Sequence, residues 1–173
     1  MKILVVIDMQ YDFIDGTLGS SEAVAMLPKA VEKIKDFHGR ILATKDTHEQ
    51  NYLETQEGKL LPIQHCIRET NGWQLHSEIS KFIQEAPIDK PTFGSVALGN
   101  LLTDIDKETP IEDITLIGLC TDICVISNAM LLKAFLPQIP IIVDASCCAG
   151  VTPATHRQAL ETMKLCQIQI INE

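Results

Sequence analysis

Cys124 closes the run Gly118-Leu119-Cys120-Thr121-Asp122-Ile123-Cys124, where an apolar strand pattern stops at a glycine and a helical pattern begins. A thiol in the first turn of a helix faces unpaired N–H groups and the positive end of the helix dipole, which favour its ionised form. The same N–H groups can hydrogen-bond an oxyanion forming beside the sulfur, so this short segment offers both halves of an acyl-transfer site. Two other readings stay open. Free cysteine is often a buried small hydrophobe, and Cys120 with Cys124 would be half of a metal site, although no second thiol pair lies nearby.

Further groups extend that chemistry. Asp8 ends the apolar run Ile3-Leu4-Val5-Val6-Ile7, where a carboxylate must find a partner or hold its proton more tightly, and so can act as a base. As a phosphate-loop aspartate it would lack the second aspartate, since Asp8 is followed by Met9 and Gln10; a helix-capping role is also open. Lys90, in Lys90-Pro91-Thr92-Phe93, reads in isolation as a solvated loop lysine. Asp46-Thr47-His48 and the later His65 supply a carboxylate and two imidazoles, donors suited to Zn²⁺, Fe²⁺ or Mn²⁺; otherwise Asp46 caps a turn and both histidines are surface groups. Phe13 and Phe93 can flank a planar substrate or pack in the core.

To act together, these groups must reach one place. Strand patterns cover Lys2–Ile7, Arg40–Thr44, Ile114–Ile117, Pro140–Val143 and Gln167–Ile171, with a weaker one at Ala86–Asp89. Helical patterns lie between them at Glu22–Phe37, Gln74–Gln84, Val96–Ile105, Asp122–Phe135 and Pro153–Lys164, the last with Thr152 as N-cap and Pro153 at its first position. Such alternation predicts an α/β fold over residues 1–173, a single-domain three-layer αβα sandwich with a mostly parallel, Rossmann-like sheet. The polar, aperiodic segment from Asp46 to Trp73 is long for a plain connection and marks a functional loop. In an open parallel sheet ligands sit beyond the carboxyl ends of the strands, and Asp8, Asp46, His48, Lys90 and Cys124 all follow strand patterns. Cys147 and Cys148, adjacent after the fifth pattern, cannot form a relaxed disulfide with each other and are expected as packed thiols near the site rim. Val31, Ile34 and Phe37 form the core face of their helix.

Composition narrows the function classes. A net charge of −9 over 173 residues repels nucleic acid and anionic membrane surfaces. No apolar run approaches the roughly 20 residues of a membrane span, and the first strand lacks a signal-peptide cleavage site. The six cysteines follow no secreted-scaffold spacing, so free thiols in the cytoplasm are expected.

Taken together, Asp8 with Phe13 five positions on, Lys90 in Lys-Pro-Thr-Phe-Gly-Ser, and Gly-Leu-Cys-Thr-Asp-Ile-Cys-Val resemble the isochorismatase-like cysteine hydrolases, nicotinamidases in particular. The similarity continues into Cys148-Ala149-Gly150-Val151-Thr152-Pro153 and His156 and so spans nearly the whole chain. The resemblance implies an Asp8–Lys90–Cys124 triad, a cis peptide at Leu119–Cys120, and an oxyanion hole from the amides of Cys120 and Cys124. It also implies a divalent metal held by Asp46, His48, His65 and a variable residue, for which Glu57 is preferred over Glu54. No organic cofactor is implied, and family members often form homo-oligomers. The chain departs from the nicotinamidase pattern at Pro62-Ile63-Gln64-His65, where a substrate-stacking tryptophan is typical; Trp73 is too far along to stand in for it. The leading expectation is therefore hydrolysis of a small amide, with a ureido, carbamoyl or aliphatic amide as the second substrate class. A thiol-based binding or redox-sensing domain is the non-enzymatic alternative.

Overall fold

Strand β1 (Lys2–Ile7) is buried at every position after Lys2, which a continuous apolar run achieves only inside a sheet covered on both faces. In the computed structural model, which describes residues 1–173, the order continues through α1 (Tyr11–Ile14), α2 (Ser21–Lys35), β2 (Arg40–Asp46), a 3₁₀ turn (Tyr52–Glu54), α3 (Gln56–Leu60), α4 (Ser77–Ser80), β3 (Ile88–Lys90) and α5 (Val96–Glu108). Then follow β4 (Asp113–Leu119), a widened π-type turn (Thr121–Val125), α6 (Ile126–Phe135), β5 (Ile141–Ala149), α7 (Pro153–Leu165) and β6 (Gln169–Ile171). The sheet order is β3-β2-β1-β4-β5-β6, and every pairing is parallel. The expected mostly parallel sheet is thus wholly parallel.

Alternate residues of β1 feed two cores. Ile3, Val5 and Ile7 pack with Leu98 and Leu102 of α5, Leu132 of α6 and Leu160 of α7. Leu4 and Val6 pack with Met26, Ala30, Val31 and Ile34 of α2, and Phe37 lies against the same cluster. The result is helix, sheet, helix. Side-chain caps fix where the helices begin: Ser20, Ser95 and Thr152 accept from Ala23, Leu98 and Thr155 N–H groups, each such cap contributing about 1 kcal/mol.

Sequence order reverses across the sheet between β1 and β4, so a crevice opens beyond their carboxyl ends. Gly118 makes that crevice possible. It has φ +125°, and a Cβ there would lie 2.0 Å from Ile7 O, so β4 meets β1 only where no side chain intervenes.

Several expected elements differ. The pattern over Gln74–Gln84 yields only the single turn α4, because Gln74 O accepts from Tyr11 N and His76 N donates to Met9 O, groups a helix would otherwise use. β5 runs on to Ala149 instead of stopping at Val143, through a register shift opposite Leu116 and Gly118. Its polar continuation is held by Asp144, which takes Lys33 at 2.9 Å and bonds from Ser146 and Asn172. Cys147 and Cys148 are buried in the α2-side and α6-side cores respectively, not at the site rim, because consecutive strand residues point to opposite faces. All six thiols are unpaired, and no helix is long and apolar enough to cross a membrane.

Candidate active site

Lys90 is the last residue of β3, aligned with Asp46 of β2 in parallel register; the weak strand pattern placed it one residue beyond. Its ammonium is fully covered and meets Asp8 Oδ2 at 2.7 Å and Asp46 Oδ1 at 3.2 Å. It also donates to Thr92 O at 3.2 Å and to Cys124 Sγ at 3.3 Å. Three residues 34 or more positions apart in sequence thus converge on one nitrogen, and the lysine is not a solvated loop residue.

Asp8 follows β1 with φ 47°, a left-handed conformation that an aspartate tolerates better than most side chains. Thr44 orients it: the Thr44 hydroxyl donates to Asp8 Oδ1 at 2.6 Å and accepts from Asp8 N at 3.3 Å. Burial raises the Asp8 pKa, and the Lys90 charge offsets only part of that effect. The Lys90 ammonium is itself opposed by burial, but Asp8, Cys124 and Asp46 outweigh that and hold its pKa above the ordinary lysine value.

Cys124 lies in the widened turn after β4 and is 3% exposed. The helix N-terminus was expected to favour its thiolate, but burial pushes the thiol pKa well up, and Asp8, through its charge and as a hydrogen-bond acceptor, pushes it further. The resting sulfur therefore keeps its proton beside a carboxylate able to take it. Asn128 fixes this turn, donating from Nδ2 to Cys124 O at 2.8 Å and to Phe93 O at 3.0 Å. Its Oδ1 accepts from Ser95 N at 2.9 Å, so one buried amide ties the Cys124 turn to the loop after Lys90. The Leu119–Cys120 peptide is cis, as the resemblance implies. Cys120 N–H makes no hydrogen bond within the protein, and partial burial raises the pKa of the half-buried Cys120 thiol to about 12.

The long loop brings its ligands to the same place. His48 and Ile67 form a parallel bridge, and Asp12 accepts from Cys66 N at 2.7 Å, which pins the returning chain and His65. Thr55 caps α3, and Gly58 is required there because a Cβ would stand 2.1 Å from Tyr52 O; together they turn Glu57 inward. Asp46, His48, Glu57 and His65 each offer an atom within 4.8 Å of all the others. Glu54 lies exposed on the preceding turn.

Three features suit a metal. His48 Nε2 is buried without a hydrogen-bond partner. His65 Nδ1 is 2.8 Å from Ile63 O, so Nδ1 donates there and Nε2 turns toward the cluster, 3.6 Å from Asp46 Oδ2, the usual outer-shell arrangement of a ligating histidine. The donors are two imidazoles and two carboxylates, a set that binds Zn²⁺, Fe²⁺ or Mn²⁺. Asp46 joins this cluster to the group around Lys90: Oδ1 faces Lys90, while Oδ2 lies 3.0 Å from His48 Nε2 and 3.6 Å from His65 Nε2. Although its burial would raise the pKa, the two histidines and Lys90 hold it well below the usual carboxylate range.

A cavity of about 1000 Å³ opens over both groups, lined by Cys120, Cys124, Asp46, His48, Glu57 and His65. Phe13 and Phe93 are on its wall with Leu18, Leu60, Leu61, Ile123 and Val151. Trp73 is not. Its Nε1 donates to Thr47 Oγ1 at 2.8 Å and Lys45 Nζ lies 3.0 Å from its ring centre, so it packs against the outer side of β2. Thr44, Gln10 and Asn128 are the residues the sequence did not single out. Gln10 brackets Asp46, donating to its carbonyl at 2.9 Å and accepting from its N–H at 2.7 Å.

Comparison with known proteins agrees with this geometry. The family model of the isochorismatase domain matches residues 2–172. A nicotinamidase/pyrazinamidase of Mycobacterium tuberculosis is 24% identical over 186 residues, covering 99% of this chain and 98% of that protein. The structure of a Pyrococcus horikoshii pyrazinamidase in complex with zinc superposes with TM-score 0.81 at 25% identity over 99% of both chains. A pyrazinamidase/nicotinamidase of Streptococcus mutans gives TM-score 0.84 at 27% identity, over 99% of this chain and 100% of that one.

Proposed function

The chain belongs to the isochorismatase family, and from that premise we propose that it is an amidohydrolase which cleaves a small amide through a thioester on Cys124. The observation that carries this is the buried Lys90 ammonium, 2.7 Å from Asp8 Oδ2 and 3.3 Å from the Sγ of Cys124, which lines the cavity.

Asp8 accepts the Cys124 proton, and Lys90 offsets the charge of the carboxylate and the sulfur as the thiolate forms. The sulfur attacks the carbonyl carbon. The N–H groups of Cys120 and Cys124 hold the resulting oxyanion. The C–N bond then breaks as protonated Asp8 returns its proton to the leaving nitrogen, which departs as ammonia and leaves a thioester. Water, deprotonated by Asp8, attacks that thioester; the C–S bond breaks, the sulfur regains the proton, and a carboxylic acid leaves. One carboxylate thus alternates between base and acid, a task suited to its raised pKa.

Asp46, His48, Glu57 and His65 would hold a divalent cation, zinc being the ion in the Pyrococcus horikoshii relative. When bound, such an ion acts as a Lewis acid beside the reacting carbonyl. Asp46 keeps Lys90 in place whether or not the ion is present, because a separate oxygen serves each.

Nicotinamide is the first substrate to test, given the relatives' names. Ammonia release from nicotinamide and a panel of amides by the wild type and by Cys124→Ala decides the reading; equal rates in the two proteins refute it. A second substrate class, an aliphatic, ureido or carbamoyl amide turned over by the same three residues, is favoured by the position of Trp73 outside the cavity. The covered thiol with its raised pKa argues against a redox sensor, which needs an accessible, readily ionised cysteine. A cytoplasmic location suits six unpaired thiols.

A further inference from the structure

We propose that the preferred substrate is a primary amide carried on an extended, uncharged, apolar group longer than a single ring. This rests on the amidohydrolase reading and sides with the aliphatic form of its second substrate class.

Size is the first reason. A cavity of about 150 Å³ is enough for a benzene ring, whereas this one is about 1000 Å³, near the upper end of sites that hold ligands of twenty or more heavy atoms. A one-ring amide at Cys124 would leave most of the wall without a partner. The nature of that wall is the second reason. Leu60 and Val151 are 80% and 59% exposed, and both line the cavity with Leu18, Leu61 and Ile123. Large apolar side chains left open to water around one mouth mark a surface that a ligand covers. They are branched aliphatics, which reward buried methylenes, and they outnumber the two rings on the same wall, Phe13 and Phe93.

Charge is the third reason. No lysine or arginine lines the cavity. The carboxylates on the cavity wall, Asp46 and Glu57, would be matched by the metal their cluster would hold, and the Lys90 charge beneath is paired with Asp8, so neither end offers net positive charge. Apart from the cluster and the two cysteines, the polar wall groups are neutral: Thr17, Ser20, Thr55, Gln56 and Thr92. A second carboxylate at the far end of the substrate would be desolvated against Leu60 and Val151 without an ion partner.

The test is kcat/KM, read as ammonia release by the metal-loaded protein, on straight-chain primary amides from propanamide to octanamide, on nicotinamide, and on the ω-carboxylate analogue of the longest amide. We expect a rise of about fourfold per added methylene over the first several, octanamide above nicotinamide, and the carboxylate analogue at least tenfold below octanamide. Leu60→Asp and Val151→Asp, both at exposed positions that tolerate polarity, lower the octanamide-to-propanamide ratio. A flat series with nicotinamide preferred, or an ω-carboxylate as good as octanamide, overturns the inference and leaves the amidohydrolase reading standing. No ammonia from any amide sinks both.

Discussion

Asp8 is asked to be ionised when it takes the thiol proton and protonated when the amine leaves, and one hydroxyl tunes that balance. Thr44 donates to its Oδ1 at 2.6 Å, a bond that stabilises the charged carboxylate against the burial that raises its pKa. Removing the donor therefore raises the pKa further, and the base is ionised only at higher pH. Thr44→Val should lower kcat/KM about tenfold, as expected for loss of a hydrogen bond to a charged group, and move the acid limb of its pH profile upward. A limb that stays in place would make Thr44 a packing residue only. Asp8, Lys90 and Cys124 were legible because each sits in a recognisable local run. Thr44, Gln10 and Asn128 were not, since each acts through atoms fixed only by strand register or by a turn: Thr44 and Gln10 reach their partners across 36 positions, and Asn128 meets Phe93 across 35.

At the scale of elements, the approach of β4 to β1 sets everything that follows, because both strands end in site residues. Gly118→Ala places a Cβ 2.0 Å from Ile7 O at a φ of +125°, combining backbone strain with overpacking between two central strands. We expect a loss of at least about 3 kcal/mol, measured as a fall in the urea midpoint; a change below about 1 kcal/mol would mean the strands can part without harm. The paired Asp144 on β5 gives a second test, this time with pH. Burial would raise its pKa, but Lys33, Asn172 and Ser146 hold it below the ordinary aspartate value. A depressed folded-state pKa contributes stability that is present above the unfolded value near 4 and is lost as pH falls through the folded one. Asp144→Asn should thus be less stable than wild type at pH 7 and approach it at pH 3 in urea unfolding; a constant gap would assign the effect to packing. Long apolar periods made β1, α2, α5 and α7 legible. α4 and the end of β5 were not, since their extents are decided by backbone groups already bonded to Met9 and Tyr11 and by a polar core pair with no local signature.

For the whole molecule, the decisive link is that the loop from Asp46 to Trp73 folds back so that Asp46, His48, Glu57 and His65 share one cavity with Cys124, and Asp46 also contacts Lys90. His48 Nε2 is buried with no aligned hydrogen bond and with the Asp46 carboxylate beside it at 3.0 Å, so an ion taken up there should couple to stability of the entire fold. At a free Zn²⁺ or Mn²⁺ concentration about a hundredfold above Kd, binding adds about 2.7 kcal/mol, which for a chain of this length raises Tm by roughly 5–10 °C. The purified protein should carry close to one divalent ion per chain by elemental analysis, lose it and those degrees on chelation, and regain both on adding the ion back. His48→Ala should hold no stoichiometric ion and show no rise in Tm. Retention of a full equivalent by that variant would mean that the four side chains are not the ligands, and that the orphaned nitrogen is a structural defect the fold tolerates.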